Sequence, residues 1–179
     1  QEITDDLLKE QRQNLNELNA TSKNAERLSK EFEDFSKRIK NKSELNWNDK
    51  KELDKFLQRQ EQYQQMLEKH TNLLKDNLDE QDLKNDDQQI SEKKEELIKR
   101  IEEAQELQRK NELLEKLKKM SEKLDKEGML DKLEKLTEQN KQKEKTLERI
   151  LEMTKRFFVE KKAVQISRKL DSLSKKENK

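Results

Sequence analysis

Histidine occurs once in this sequence, at position 70, and cysteine not at all. Those two facts bound the chemistry. Without cysteine there is no thiolate nucleophile, no disulfide and no thiolate-bound metal. Carboxylate-bridged metal sites in helical bundles use a Glu-x-x-His spacing, which puts both ligands on one helix face. His70 has Met66 and Leu67 before it and Leu73 and Leu74 after it, so no carboxylate of its own helix shares its face. It reads as a seam or half-exposed histidine. Nothing nearby offers it a nucleophile or a pocket. With one glycine and no proline, the chain has no glycine-rich loop to cradle a phosphate. The expectation is a non-enzymatic protein with no metal, no cofactor and no small-molecule substrate.

Other residue types suit contacts rather than catalysis. The four methionines, Met66, Met120, Met129 and Met153, suit an adaptable groove but at helical spacing read as core fill. Trp47, the only tryptophan, closes a hairpin end by packing between two helices in one reading and meets a partner in the other. Phe157, Phe158 and Val159, followed by Lys161 and Lys162, form the longest apolar run. That run is a candidate contact for a partner helix or a membrane surface, and it is far too short to span a bilayer.

The elements that must position these residues follow from composition. Only 28% of the 179 residues are hydrophobic, 4% are aromatic and 46% are charged. So few apolar groups cannot fill a spherical core, but each helix of an elongated bundle needs only a narrow apolar stripe. The 42 basic and 41 acidic residues interleave to a net charge of +1. That balance argues against disorder, which pairs low hydrophobicity with high net charge, and against nucleic acid, which calls for a basic face. No signal-peptide pattern is present, and a chain starting at Gln1 reads as a piece of a longer protein.

Apolar spacing predicts an all-α, elongated structure of four or five helices in antiparallel hairpins, resembling a coiled-coil bundle. The first hairpin occupies residues 1–82. Leu8, Leu15, Leu18, Ser22, Ala25, Leu28, Phe32, Phe35 and Ile39 mark its first helix, a turn is expected near residues 43–48, and Asn46 or Asn48 caps the return. Leu53, Phe56, Gln60, Tyr63, Leu67, His70, Leu74 and Leu78 form the second seam. Its polar members, Gln60 and His70, are expected to set register. Asp79 to Gln89 is the weakest helical stretch. The second hairpin occupies residues 88–174, with a helix to about Glu127 and a turn at Gly128. There the sole glycine is expected to end the helix in the left-handed conformation. Nothing apolar appears from Thr137 to Thr146, so Asn140 either caps a new helix or lies on a continuing one. Leu147, Ile150, Thr154 and Phe157 resume the pattern. Val159, Ala163, Ile166, Leu170 and Leu173 follow two residues out of phase, implying a bend, a wider apolar face or contact with two neighbours. Residues 175–179 are expected to fray.

The segment Leu45-Asn46-Trp47-Asn48-Asp49-Lys50-Lys51 with its Gln-rich helix resembles a family of large bacterial membrane-anchored proteins of unknown function. So does Glu112-Leu113-Leu114-Glu115-Lys116-Leu117 running through Gly128 to Leu147-Glu148-Arg149-Ile150-Leu151-Glu152. The similarity runs from about Leu15 to Leu173 and is carried mainly by the Trp-Asn-Asp joint and the Thr146 to Leu151 segment. In that family a pair of transmembrane helices precedes a long Glu/Lys/Gln-rich helical region. The resemblance implies a cell-envelope setting, tethering through segments outside this chain and a non-enzymatic role; it assigns no site residues. The expected function is a structural or protein-interaction module that binds a protein partner or itself. The alternative is a regulatory domain that captures another protein's helix through the Phe157–Val159 patch.

Overall fold

A computed structural model describes residues 5–79, 88–109 and 112–178. The chain is all-α, and no strand occurs among the described residues. Five helices follow in order: α1 (Asp5–Lys40), α2 (Trp47–Asp79), α3 (Gln88–Arg109), α4 (Glu112–Lys123) and α5 (Lys126–Glu177). Each of α1, α2 and α5 carries apolar residues in steps of three and four, the signature of a helix buried along one stripe.

The helices close a four-sided circuit. α1 packs on α2 and on α5, while α3 and α4 in succession pack on both α2 and α5. The two hairpins read from the sequence therefore share one core. α2 and α5 lie across the diagonal. Both descend from the same end, because the side chain of Lys126, at the start of α5, donates to the carbonyls of Lys40 and Lys42 in the α1–α2 turn.

Large side chains fill the interior. Phe32 and Phe35 of α1 meet Phe56 of α2 with ring centroids 5.3 Å apart in both pairs. Leu18, Leu53, Leu74, Leu97, Ile101, Leu117, Leu133 and Leu136 are buried along the same core. Each such residue contributes roughly 1.5–3 kcal/mol by leaving water. Buried threonines satisfy their hydroxyls within their own helices: Thr71, Thr137 and Thr154 donate to the carbonyls of Leu67, Leu133 and Ile150. Ion pairs lace the surface between helices, including Arg38–Glu52 at 2.7 Å and Lys93–Glu160 at 2.5 Å. Exposed pairs of this kind contribute about 1 kcal/mol at most.

The first turn falls where the spacing puts it, at residues 41–46. A reciprocal capping box closes it: the Asn46 N–H donates to Asp49 Oδ2 at 2.9 Å, and the Asp49 N–H donates to Asn46 Oδ1 at 3.0 Å. The joint expected between Asp79 and Gln89 falls on residues 80–87, outside the described residues.

The second corner differs from expectation in its residue. Gly128 does not stop a helix and has no positive φ; it lies in the first turn of α5, where its N–H donates to the N-cap carboxylate of Asp125 at 3.1 Å. The left-handed residue is Leu124, with φ 51°. The Asp125 N–H reaches Met120 O, and the Leu124 N–H reaches Ser121 O, both at 3.3 Å. This is a Schellman stop, built on leucine instead of glycine. The reason is local. Asp125 is the strong N-cap of the next helix, so the reversal must be complete one residue earlier. The helix expected to reach about Glu127 accordingly stops with α4 at Lys123; residues 110 and 111, between α3 and α4, are outside the described residues. α5 then runs unbroken through Asn140, and it stays helical to Glu177, past the point where the tail is expected to fray.

Candidate functional site

The candidate contact residues fall into three environments. Trp47 opens α2 and is 66% exposed, so it does not close the hairpin by packing between helices. Lys51 Nζ lies over its ring, 5.0 Å from the centroid. The capping box and the half-buried Leu45 close that end instead. Phe157 is buried in the core, and Phe158 is half-buried against it at a centroid distance of 5.8 Å. Val159 alone of the three stands exposed, at 69%.

Val159 is the first residue of a longer exposed stripe. Ile166, Leu170 and Leu173 of α5 are 50–61% exposed, and Ala163 lies between them in steps of four and three. The phase shift read from the sequence thus has a structural meaning. Up to Phe157 the apolar stripe of α5 faces the bundle; from Val159 a second stripe begins that no described helix covers.

Register shows where this happens. Gln60 of α2 faces Asn140 of α5, 80 positions on, so the end of α2 at Asp79 comes level with Val159. Lys93 of α3 pairs with Glu160 of the antiparallel α5, so the start of α3 at Gln88 comes level with residue 165. Beyond Ile166, α5 has passed the ends of both. The stripe is narrow, two positions per heptad, which is coiled-coil spacing rather than the broad face of a membrane-surface helix. Lys162, Lys169 and Lys176 flank one side of it, and Glu160, Ser167 and Ser174 flank the other.

A second notable region is interior. The α2 seam runs Leu53, Leu57, Gln60, Gln64, Leu67, Thr71, Leu74 and Leu78, and the α5 seam runs Met129, Leu133, Leu136, Asn140, Lys143, Leu147, Ile150 and Thr154. Both are polar at the same two levels. At the first, Gln60 and Asn140 exchange side-chain hydrogen bonds of 2.9 and 3.0 Å. At the second, Gln64 Nε2 and Lys143 Nζ are both buried without a hydrogen-bond partner. Burial pulls the Lys143 amine below its ordinary value. Beside it lies a cavity of about 220 Å³ between α2, α3 and α5.

His70 is buried, and its Nδ1 lies 3.1 Å from Glu17 Oε2 of α1. This distance suits an ion pair, but the groups are not aligned as a hydrogen bond. Tertiary packing thus supplies the carboxylate that α2 lacks. One imidazole and one carboxylate do not make a metal site, and among the described residues no group of three potential ligands converges. Gln105 of α3 donates to Thr71 and Asn72 of α2 at 2.9 and 2.7 Å, another interhelical polar tie.

Among the described residues no helix is long and apolar enough to cross a membrane. No protein family model, curated protein or solved structure matches the chain.

Proposed function

We propose that this chain is a non-enzymatic protein-interaction module whose docking element is the exposed stripe of α5. The observation that carries the reading is the solvent exposure of Val159, Ile166, Leu170 and Leu173 on one coiled-coil seam of a helix whose earlier seam is buried. Apolar residues at this spacing are what a second helix packs against in a coiled coil. The flanks favour a partner over a second copy. In an antiparallel self-pair the flank of Lys162, Lys169 and Lys176 meets lysine. In a parallel one it meets the flank of Glu160, Ser167 and Ser174, whose one acid already pairs with Lys93, so neither gains a matching set of ion pairs. A partner helix with acidic residues beside its apolar seam gains them.

A synthetic helix with Leu at its seam positions and Glu at the flanking ones tests this. The full chain should bind it with one-to-one stoichiometry in sedimentation velocity, and more weakly as salt rises. Ile166→Lys with Leu170→Lys should abolish the complex while leaving the melting temperature in place. Absence of binding, or binding unaffected by the two substitutions, overturns the reading. Self-association of the chain alone through the same residues would redirect it to a homotypic seam.

In the same reading the module belongs to a membrane-anchored cell-envelope protein. The support is the resemblance carried by the Trp47-Asn48-Asp49 joint and the Thr146–Leu151 segment. Fractionation of cells expressing the intact protein tests it, and recovery in the soluble fraction argues against it.

A further inference from the structure

The cavity beside Lys143 is independent of the α5 stripe and lies in a cleft between α2, α3 and α5. Its apolar wall comes from Leu67 of α2, Ala104 of α3, and Leu147 and Ile150 of α5. It opens to solvent beside Leu107, Gln139, Gln142 and Thr146, all of which are exposed. Short side chains at Thr71 and Ala104 leave the space open. Lys143 lines it from a seam position, where the neighbouring residues of α5 bury leucine and isoleucine.

Two features point to a ligand class. The buried group left over in its wall, Lys143 Nζ, is a donor, and what it lacks is an acceptor. A buried ammonium without a counter-charge is costly. The polar level just above is self-satisfied by the Gln60–Asn140 exchange, so it does not compete for an incoming acceptor. The rest of the wall is mainly apolar, and the volume of about 220 Å³ exceeds the ~150 Å³ that accepts benzene.

We propose that this cavity binds a small amphiphilic carboxylate, its anion on the Lys143 ammonium and its apolar chain against Leu67, Ala104, Leu147 and Ile150. A charge-assisted bond at a partly desolvated amine supplies the affinity, and the apolar wall receives a short alkyl chain. The expectation of no small-molecule ligand, drawn from the sequence, had no access to this cavity. Its walls come from three helices that are distant along the chain.

Isothermal titration of the full chain with sodium octanoate, with octan-1-ol as the uncharged comparison, tests the assignment. Octanoate should bind saturably at one site. Lys143→Met should weaken it by about tenfold or more, since a hydrogen bond to a charged group is lost. Octan-1-ol binding should change by less than about twofold in Lys143→Met. No saturable octanoate binding, equal affinity for the alcohol, or an octanoate affinity unmoved by Lys143→Met overturns the proposal. A wild-type readout needs no variant: in an NMR pH titration of lysine side chains, octanoate should raise the pKa of a single lysine. If no lysine responds, the proposal fails.

Discussion

Gln60 and Asn140 close a reciprocal pair of hydrogen bonds across the diagonal of the bundle, with both side chains removed from water. Each amide satisfies the other, and no other side chain at that level replaces either. Gln60→Leu or Asn140→Leu alone should therefore strand a buried amide and cost about 2 kcal/mol in urea denaturation. The double replacement should fall well short of the sum, because two leucines restore an apolar layer. It should also loosen the register of α2 against α5, which broadened NMR resonances would report.

The capping box at the first turn makes Asp49 a structural acid. Burial acts to raise its pKa, but the Asn46 N–H and the nearby Lys42 outweigh that and hold it below its ordinary value of 3.8. Lys42 Nζ donates to Asp49 Oδ1 at 2.5 Å. Asp49→Ala should cost about 1–2 kcal/mol. Because the folded value is the lower one, this stabilisation is present above pH 3.8 and is lost as pH falls through the folded value. The wild-type and Asp49→Ala denaturation curves should converge in that acid range.

Two substitutions at the second corner test its chemistry. Leu124→Gly removes the steric cost of a left-handed φ and should stabilise the chain by about 0.5–1 kcal/mol. Gly128→Ala should be near neutral in the same thermal melts. Its helix propensity gain of about 1 kcal/mol is offset because a Cβ there would lie 2.4 Å from Asp125 Oδ2 and disturb the cap. Had the glycine been the left-handed stop, Gly128→Ala would have been the damaging change.

Lys143→Met should stabilise the unliganded chain at neutral pH by about 1 kcal/mol, since it replaces a buried unpaired amine by an apolar side chain of similar length. Lys143 is a base whose folded pKa lies below its ordinary 10.5. The unfolded chain holds the proton more firmly, so wild-type stability rises as pH climbs from the folded value toward 10.5. The gap between wild type and Lys143→Met should therefore narrow across that range, as chemical denaturation at stepped pH would show.

Seam substitutions should separate the two halves of α5. Leu133→Ala, in the buried stripe, should cost about 2–5 kcal/mol by leaving a cavity. Leu170→Ala, in the exposed stripe, should change stability by no more than about 0.5 kcal/mol in the same measurement.

Much of the helical architecture was legible because apolar spacing is a local signal. Leu53 to Leu78 and Met129 to Leu136 show their buried stripes in one dimension, and Asn46 and Asp49 announce their cap. Gly128 misled because its conformational freedom was weighed without the stronger capping preference of Asp125, three residues earlier. Lys143 was hidden for a different reason. It continues the four-three alternation from Met129 to Thr154, but a search for apolar residues passes over a charged seam position. Whether a stripe is covered is not written in the stripe itself. Phe157 and Val159 look alike in sequence, and what separates core from surface is that they point to opposite sides of α5.

The continuity of α5 has a directional consequence. Phe157 points into the bundle, and Val159 follows two residues later, so the two stripes are turned by roughly 200° about one helical axis. A partner on the second stripe would lie on the side of α5 facing away from the other helices, held in a fixed azimuth by a helix without a hinge. One residue inserted between Phe157 and Val159 would swing that partner by about 100°, whereas seven would carry it about 10 Å outward at nearly the same bearing.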